Sequence, residues 1–312
     1  MIGAGALPAV GLRSGEVADD DLAALRYALL TGGVCYLTGH GADAAVGRAL
    51  AASRALFARP EATKRACASR GPTDCRGYEA LPERDGDWRE GFFCTHGVAE
   101  GDGAFPLAGP ARWPDDLEFR AAMTDCAAAL CGVAGDLVAA VARALGLPEL
   151  GFRAALVPPG GVGLRALRYP PLADAPVGVR WGVSPHSDLP PLALIAQDEV
   201  GGLEVRGEGD DEWIAVPPRP GALVVQFGDA LHQWTGGRSA INVHRVVNRS
   251  AHDRHSLACF ALPAPDTALA PPGSATDATP RFGRTLADWL HGLERDPRHV
   301  GAVHERTVHS TR

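Results

Sequence analysis

The sequence has little of what marks membrane, secreted or nucleic-acid-binding proteins. It contains no uninterrupted run of about 18 apolar residues, the length that a membrane-spanning helix requires. The N-terminus lacks the basic segment and apolar stretch of a signal peptide. Lys and Arg number 30 against 37 Asp and Glu, and no basic patch is present to meet phosphates. We therefore expect a cytoplasmic protein with no membrane, nucleic-acid or obligate protein partner.

The cysteines also form no recognisable pattern. The seven cysteines are odd in number and scattered, and no C-x-x-C pair occurs among them. This distribution is typical of reduced thiols in a cytoplasm. The composition is otherwise globular, with 46% hydrophobic and 21% charged residues, so the 312 residues can bury a sizeable core.

Hydrophobic periodicity divides the chain into a helical first half and a strand-rich second half. Amphipathic spacing predicts helices over 19–30, 44–57, 117–145 and 282–293. From about residue 154, short apolar stretches alternate with Gly, Pro and Asp turns, as in a β-sandwich or jelly roll. We predict one integrated catalytic domain, with a helical support segment over 1–155, a core over 156–265, and a C-terminal loop and helix over 266–312.

The most informative motif is His186-Ser187-Asp188, followed much later by His244. Side chains two apart on a strand point to the same face, so His186 and Asp188 can bind one metal ion together. An isolated His-x-Asp is often only a loop. His244, however, lies in a second apolar, β-branched segment, and two histidines with one carboxylate can hold iron(II) with three positions open.

Arg254 and Ser256 follow ten residues after His244 and share a face by the same period of two. A guanidinium fork beside a hydroxyl is what a small dicarboxylate needs for anchoring. The alternative is an arginine held in an internal ion pair, with the serine serving only as a neighbouring strand residue.

At this point the sequence resembles the iron(II)- and 2-oxoglutarate-dependent oxygenases of the isopenicillin N synthase-like group, which includes deacetoxycephalosporin C synthase and plant gibberellin oxidases. The matching stretches run in order through most of the chain: GGVCYLTGHG at 32–41, RGYE at 76–79, EGF at 90–92, WP at 113–114, RYPP at 168–171, PHSD at 185–188, VGGLEV at 200–205, VPPRPGALVV at 216–225, TGGR at 235–238 and HRV at 244–246.

The resemblance implies a fold, a metal and a cosubstrate. The fold would be mainly β with flanking helices, a double-stranded β-helix (jelly roll, cupin-like) with the metal between its sheets. His186, Asp188 and His244 would bind Fe(II), while Arg254 and Ser256 would bind the distal carboxylate of 2-oxoglutarate, with molecular oxygen as the oxidant. Tyr169 would hydrogen-bond the same cosubstrate. Many members carry Asn two positions before this tyrosine, whereas this chain has Leu167.

The resemblance also implies an activity. Oxidative decarboxylation of 2-oxoglutarate to succinate and carbon dioxide would drive oxidation, most simply hydroxylation, of an unactivated C–H bond. The substrate would be a small natural product or amino-acid derivative of secondary metabolism, including antibiotic biosynthesis. Related halogenases lack the carboxylate that Asp188 provides, which argues against halogenation, whereas desaturation, epoxidation and cyclisation stay open.

Four residues are candidate substrate contacts. Arg168, with Arg165, is expected to anchor a substrate carboxylate, because bidentate recognition of such groups favours arginine. Trp181 and Phe93 are candidate apolar walls. The alternatives are a solvated arginine on an edge strand and aromatic residues that serve only the core.

Two other functions stay open at this stage. An oxidase of the same scaffold, such as isopenicillin N synthase, uses no 2-oxoglutarate, and Arg254 and Ser256 would then bind the substrate's own carboxylate. A non-catalytic metal-binding module is the third possibility, although every position of the triad is filled.

Overall fold

Two β-sheets and six helices make up the computed structural model, which describes residues 7–71, 74–83, 86–97, 107, 109–149, 152, 161–207 and 212–295. The strands are β1 Ala9–Arg13, β2 Glu16–Val17, β3 Val34–Thr38, β4 Gly77–Glu79, β5 Glu90–His96, β6 Val162–Tyr169, β7 Val183–His186, β8 Leu192–Gln197, β9 Leu203–Gly207, β10 Ile214–Ala215, β11 Ala222–Phe227, β12 Asn242–Val246 and β13 Arg254–Ala261. The helices are α1 Asp19–Thr31, α2 Asp43–Phe57, α3 Glu61–Arg65, α4 Leu117–Leu145, α5 Asp229–Trp234 and α6 Phe282–Arg295.

The strand order is that of a jelly roll in which one of the two sheets carries additional strands. The large sheet runs β2-β1-β3-β11-β8-β13-β6-β5-β4, and the small sheet runs β10-β9-β12-β7. Four antiparallel strands of each sheet come from the second half of the chain, while the strands of the first half extend both edges of the large sheet. The prediction of a mainly β fold with flanking helices is confirmed. The predicted boundary between 155 and 156 falls outside the described residues.

The large sheet is buried on both faces, and the period of two along β13 shows how. Leu257 and Cys259 point outwards into an apolar cluster shared with α1, α2 and α4. Ser256 and Ala258 point inwards, to the space between the two sheets. A strand with two buried faces needs apolar residues at nearly every position, which explains its continuous apolar sequence.

Helix α4 is the main support behind the large sheet. The Asp116 side chain caps it by accepting a hydrogen bond from the Phe119 amide at 2.9 Å, and Gly146 ends it in the left-handed region at φ 66°. By length and composition alone, α4 is apolar enough to cross a membrane. However, 61% of its most apolar window is buried inside the protein, which is typical of a core helix.

Candidate metal centre and active site

The two predicted histidine ligands meet because their strands pair. Strands β7 and β12 are antiparallel neighbours, and His186 and His244 are direct partners in their register. Their rings lie 4.1 Å apart between centroids. Asp188 follows β7 and places its carboxylate oxygens 3.7 Å from the Nε2 atom of each histidine. The three ligand atoms all lie within 4.8 Å of one another, so a single cation can bind all three.

A tight turn at the end of β11 holds Asp188 in place. The Asp229 amide donates to the Asp188 carbonyl oxygen at 2.8 Å, and the next amide, that of Ala230, donates to Leu189. Gly228 makes this approach possible, because a Cβ at this position would lie 2.4 Å from the Asp188 oxygen. Ser187 points the other way and donates to the Asp229 carboxylate at 3.2 Å. The backbone on both sides of the carboxylate ligand is therefore fixed.

The protonation of the triad suits a divalent metal. His186 Nδ1 lies 2.9 Å from the Ser184 carbonyl, so Nδ1 carries the proton and Nε2 offers its lone pair to the centre. Burial lowers the pKa of His186 to about 4, assisted by His244, and lowers the pKa of His244 to about 3. Burial raises the pKa of Asp188. Both imidazoles are thus neutral at neutral pH, as metal ligands must be, and two nitrogens with one carboxylate fit Fe(II).

Arg254 is a buried cation on the wall of the same cavity. It is 1% exposed, and no Asp or Glu among the described residues lies within ion-pair distance of its guanidinium. Its Nη1 donates to Ser256 Oγ at 3.3 Å and its Nη2 to Gln197 Oε1 at 3.1 Å, while its Nε has no acceptor. An isolated buried charge is costly, so this geometry calls for an anion, and a carboxylate of 2-oxoglutarate fits it.

Tyr169 and Leu167 flank this arginine on β6. Tyr169 is the register partner of Arg254, and the guanidinium carbon lies 4.7 Å from the centre of its ring. Leu167 is the partner of Ser256 and offers an apolar surface where a polar contact is common in the family. Tyr169 therefore lies where the sequence expects it, and its hydrogen bond to the cosubstrate stays a prediction.

Gln197 is a polar neighbour of this site that the sequence analysis did not single out. It ends β8 and pairs with Ser256. Its Oε1 accepts from Arg254, and its Nε2 donates to the Val216 carbonyl at 3.1 Å, which fixes the orientation of the amide. The sequence contained an indication of this role, because Gln197 is the one polar residue at the end of an apolar strand.

The four predicted substrate contacts separate into two pairs. Arg165 and Phe93 line the cavity. Arg168 does not: it points to the opposite face of β6 and makes ion pairs with Asp253 at 2.7 Å and with the fully buried Glu90. The prediction that Arg168 anchors the substrate is therefore wrong, because adjacent strand residues face opposite sides.

The sequence prediction for Trp181 is also wrong. It precedes β7 outside the cavity lining, and the Arg245 guanidinium carbon lies 4.9 Å from its ring centre. Its predicted role as a wall of the substrate pocket is wrong, because it packs on the outer side of the small sheet.

The cavity itself has a volume of about 680 Å³ and opens between the sheets. It contains the three metal-binding side chains together with Arg254 and Ser256. Its apolar lining comes from both sheets, from the segment after β7 and from helix α6, and includes Phe93, Val183, Leu189, Val246, Phe260, Leu286 and Trp289. This volume leaves room for a small organic molecule beside the metal and its cosubstrate.

Comparison with known proteins identifies the family. The model of the 2OG-Fe(II) oxygenase superfamily matches residues 162–263, and that of the non-haem dioxygenase in morphine synthesis N-terminal region matches 7–116. The 2-oxoglutarate-dependent dioxygenase citB of Monascus ruber is 31% identical over 266 residues, which cover 78% of this chain and 78% of that protein. The chain belongs to the 2-oxoglutarate-dependent dioxygenases.

A further relative agrees in sequence, and two solved structures agree in fold. A 2-oxoglutarate-Fe(II) type oxidoreductase of Aspergillus fumigatus is 35% identical over 209 residues, which span 61% of this chain and 60% of that relative. The structure of a rice dioxygenase for auxin oxidation is 28% identical, with a TM-score of 0.72 over 95% of this chain and 99% of that one. A Neurospora crassa protein, solved in complex with alpha-KG and thymine, shares the fold at 21% identity, with a TM-score of 0.78 over 92% of this chain and 97% of that one.

This dioxygenase is an oxidoreductase that uses iron(II), 2-oxoglutarate and oxygen, as its family and its site agree. Within it, His186, Asp188 and His244 would hold the iron. Arg254 and Ser256 would hold the cosubstrate carboxylate.

Proposed function

We propose that this dioxygenase hydroxylates an unactivated C–H bond of a small natural-product or amino-acid-derived substrate. The substrate R–H, oxygen and 2-oxoglutarate would give R–OH, succinate and carbon dioxide. One oxygen atom enters the alcohol and the other enters succinate. Two electrons come from the C–H bond and two from the decarboxylation, which completes the reduction of oxygen.

The observation that carries this proposal is the buried guanidinium of Arg254 beside the triad. It is held by Ser256 and Gln197 and has no carboxylate partner among the described residues. A scaffold that bound only iron would have no need at this place for a buried cation without a carboxylate in direct contact. The arrangement favours an anion-binding enzyme over the non-catalytic metal-binding module, and the family match favours 2-oxoglutarate as that anion over the substrate's own carboxylate.

The chain's own side chains would bind and orient the reactants. When bound, iron and 2-oxoglutarate supply the oxidant derived from oxygen. His186, Asp188 and His244 would hold the iron through three side-chain ligands and leave it able to bind reactants. The apolar residues of the large sheet and α6 exclude water from the reacting C–H bond.

The decisive experiment measures oxygen-dependent succinate release from 2-oxoglutarate across a panel of small organic acids and natural products. We expect at least one panel member to raise succinate release and to gain one oxygen atom, with Asp188→Ala inactive. Substrate oxidation without succinate would establish the oxidase alternative. If Fe(II) and 2-oxoglutarate give no charge-transfer absorption under anaerobic conditions, the cosubstrate assignment is wrong.

We further propose a cytoplasmic location and a role in secondary metabolism, including antibiotic biosynthesis. The location is supported by the odd number and scattered positions of the seven cysteines, which include no C-x-x-C pair. The role is supported by the resemblance to deacetoxycephalosporin C synthase. Cell fractionation tests the first proposal, and the metabolite lost on gene deletion tests the second.

A further inference from the structure

Arg165 lies in the active-site cavity on the same face of β6 as Tyr169, four residues away along the strand. At about 3.3 Å per residue, this places Arg165 roughly 13 Å from the level of Tyr169 and its partner Arg254. From β6 the Arg165 side chain runs over β5 to Glu79 on β4, whereas Arg254 lies on β13, on the other side of β6, so the two guanidinium groups are separate. The Arg165 guanidinium lies towards the edge of the large sheet that β4 and β5 form.

Gly91 allows the Arg165 side chain to cross β5. Strand β5 lies between β6 and β4, yet Arg165 makes an ion pair with Glu79 on β4. A Cβ at position 91 would lie 3.6 Å from Arg165 Nε and 3.2 Å from Leu167 Cδ2. The Arg165 side chain therefore passes directly over Gly91, where a side chain longer than a methyl group would compete with it for space.

Glu79 orients two arginines with one oxygen. Its Oε2 accepts from Arg165 and also from Arg89, at 3.1 Å. Burial would raise the pKa of Glu79, but the two guanidinium groups outweigh it and hold the pKa below its ordinary value. Glu79 is therefore ionised, and it fixes one side of the Arg165 fork.

Arg165 retains donor capacity that Glu79 does not use. Its Nε is buried and has no hydrogen-bond partner among the described residues. A guanidinium offers five N–H groups in a planar fork that matches a carboxylate, and an unmet buried donor is costly. Beyond this charged corner, the cavity wall is apolar, with Phe93 on β5 and Leu286 and Trp289 on α6.

We propose that Arg165, oriented by Glu79 across Gly91, binds the carboxylate of an amphipathic organic acid whose apolar body lies against Phe93 and helix α6. This inference rests on the proposed function, since it concerns the substrate of the same cavity. It restricts the substrate to molecules that carry an acid at one end and an apolar body at the other.

The test measures binding rather than turnover. Enzyme loaded with Mn(II) and saturating 2-oxoglutarate is titrated with 3-phenylpropanoate, naphthalene-1-acetate and octanoate, and with the primary amide of each, by calorimetry. Saturating 2-oxoglutarate keeps the acids away from Arg254. We expect at least one acid to bind tenfold or more tightly than its amide. Arg165→Met should weaken acid binding by about 10- to 100-fold and leave amide binding unchanged, because one charge-assisted contact is lost.

Two further variants separate this effect from general changes in charge and fold. Arg165→Lys should retain part of the preference for acids, since it keeps the charge but loses the fork. Arg48→Met removes an exposed arginine on α2 and should change nothing. Unchanged affinity of Arg165→Met for 2-oxoglutarate reports an intact fold.

Three results would overturn the proposal: no acid that outbinds its amide in the unmodified enzyme, a preference that survives in Arg165→Met, or equal loss in Arg48→Met. Because manganese supports binding without oxidation of the substrate, failure of the acid preference is distinguishable from failure of succinate production.

Discussion

Replacement of Gly228 by alanine should weaken metal binding although residue 228 touches no metal ligand atom. The added Cβ would lie 2.4 Å from the Asp188 carbonyl oxygen and 2.2 Å from that of Pro190. Both obstacles are backbone atoms, so no side chain can rotate away. To restore ordinary contact, the segment that carries Asp188 has to move by about 1 Å.

The size of the effect follows from two costs. Overpacking at a close backbone contact destabilises a protein by about 1–3 kcal/mol. In addition, the shift breaks the amide contacts from Asp229 and Ala230 that hold the loop. Loss of groups that support a metal ligand weakens metal affinity by about 10- to 100-fold. We expect both changes in Gly228→Ala.

The assay is a Mn(II) titration followed by calorimetry, with the unfolding temperature measured in parallel. Gly47→Ala is the matched control, because Gly47 lies within α2 and a Cβ there meets nothing within 4 Å. That control should bind metal normally and gain about 0.5–1 kcal/mol of stability. Unchanged metal affinity in a folded Gly228→Ala protein would refute the view that this turn positions Asp188.

Three further predictions concern the charged residues Arg254, Asp198 and Arg168. Arg254→Met should raise the KM for 2-oxoglutarate by about 10- to 100-fold, and 2-oxoglutarate should no longer raise its unfolding temperature; retained stabilisation by the cosubstrate would contradict the assignment. Burial would raise the pKa of Asp198, but hydrogen bonds from His255 and Val200 hold this pKa below its ordinary value of 3.8. The ionised carboxylate therefore stabilises the fold above pH 3.8, and this stabilisation is lost as the pH falls through the lower pKa of the folded state. Asp198→Asn should therefore cost about 1–3 kcal/mol at neutral pH and progressively less below about pH 4 in thermal unfolding; a difference independent of pH would contradict this. Arg168→Met should destabilise the protein by about 1–3 kcal/mol in denaturant unfolding without changing the affinity for organic acids, since Arg168 neutralises a buried carboxylate rather than a ligand; altered acid affinity would contradict this.

Local patterns were sufficient to predict much of this fold. The predicted helix over 117–145 matches α4, and the predicted helices over 19–30, 44–57 and 282–293 differ from the observed ones by one or two residues at an end. Apolar periodicity is dictated by burial of one face, so it can be read without knowledge of the partner. The convergence of His186 and His244 was also foreseeable, because both lie on short strands with chemically matched ligands.

The errors at Arg168 and Trp181 have different causes. Tyr169 and Arg168 are adjacent on one strand, so they cannot both face the cavity, and the period of two should have favoured Arg165 alone. Trp181 precedes β7, and nothing in its local sequence distinguishes the inner from the outer face. The ion pair of Arg168 with Glu90 was not predictable, because it joins residues on strands whose pairing only the tertiary fold defines.

The position of β3 beside β11 has a consequence for how the chain folds during its translation. Val34–Thr38 can pair with Ala9–Arg13 early, but its other edge must wait for Ala222–Phe227, so more than half of the polypeptide leaves the ribosome before this second contact closes. Contacts this distant along the chain slow folding, and an apolar strand without its neighbour is prone to association. A fragment that begins near residue 156 would expose the free edge of β11, and its expression alone should give aggregates rather than a working barrel.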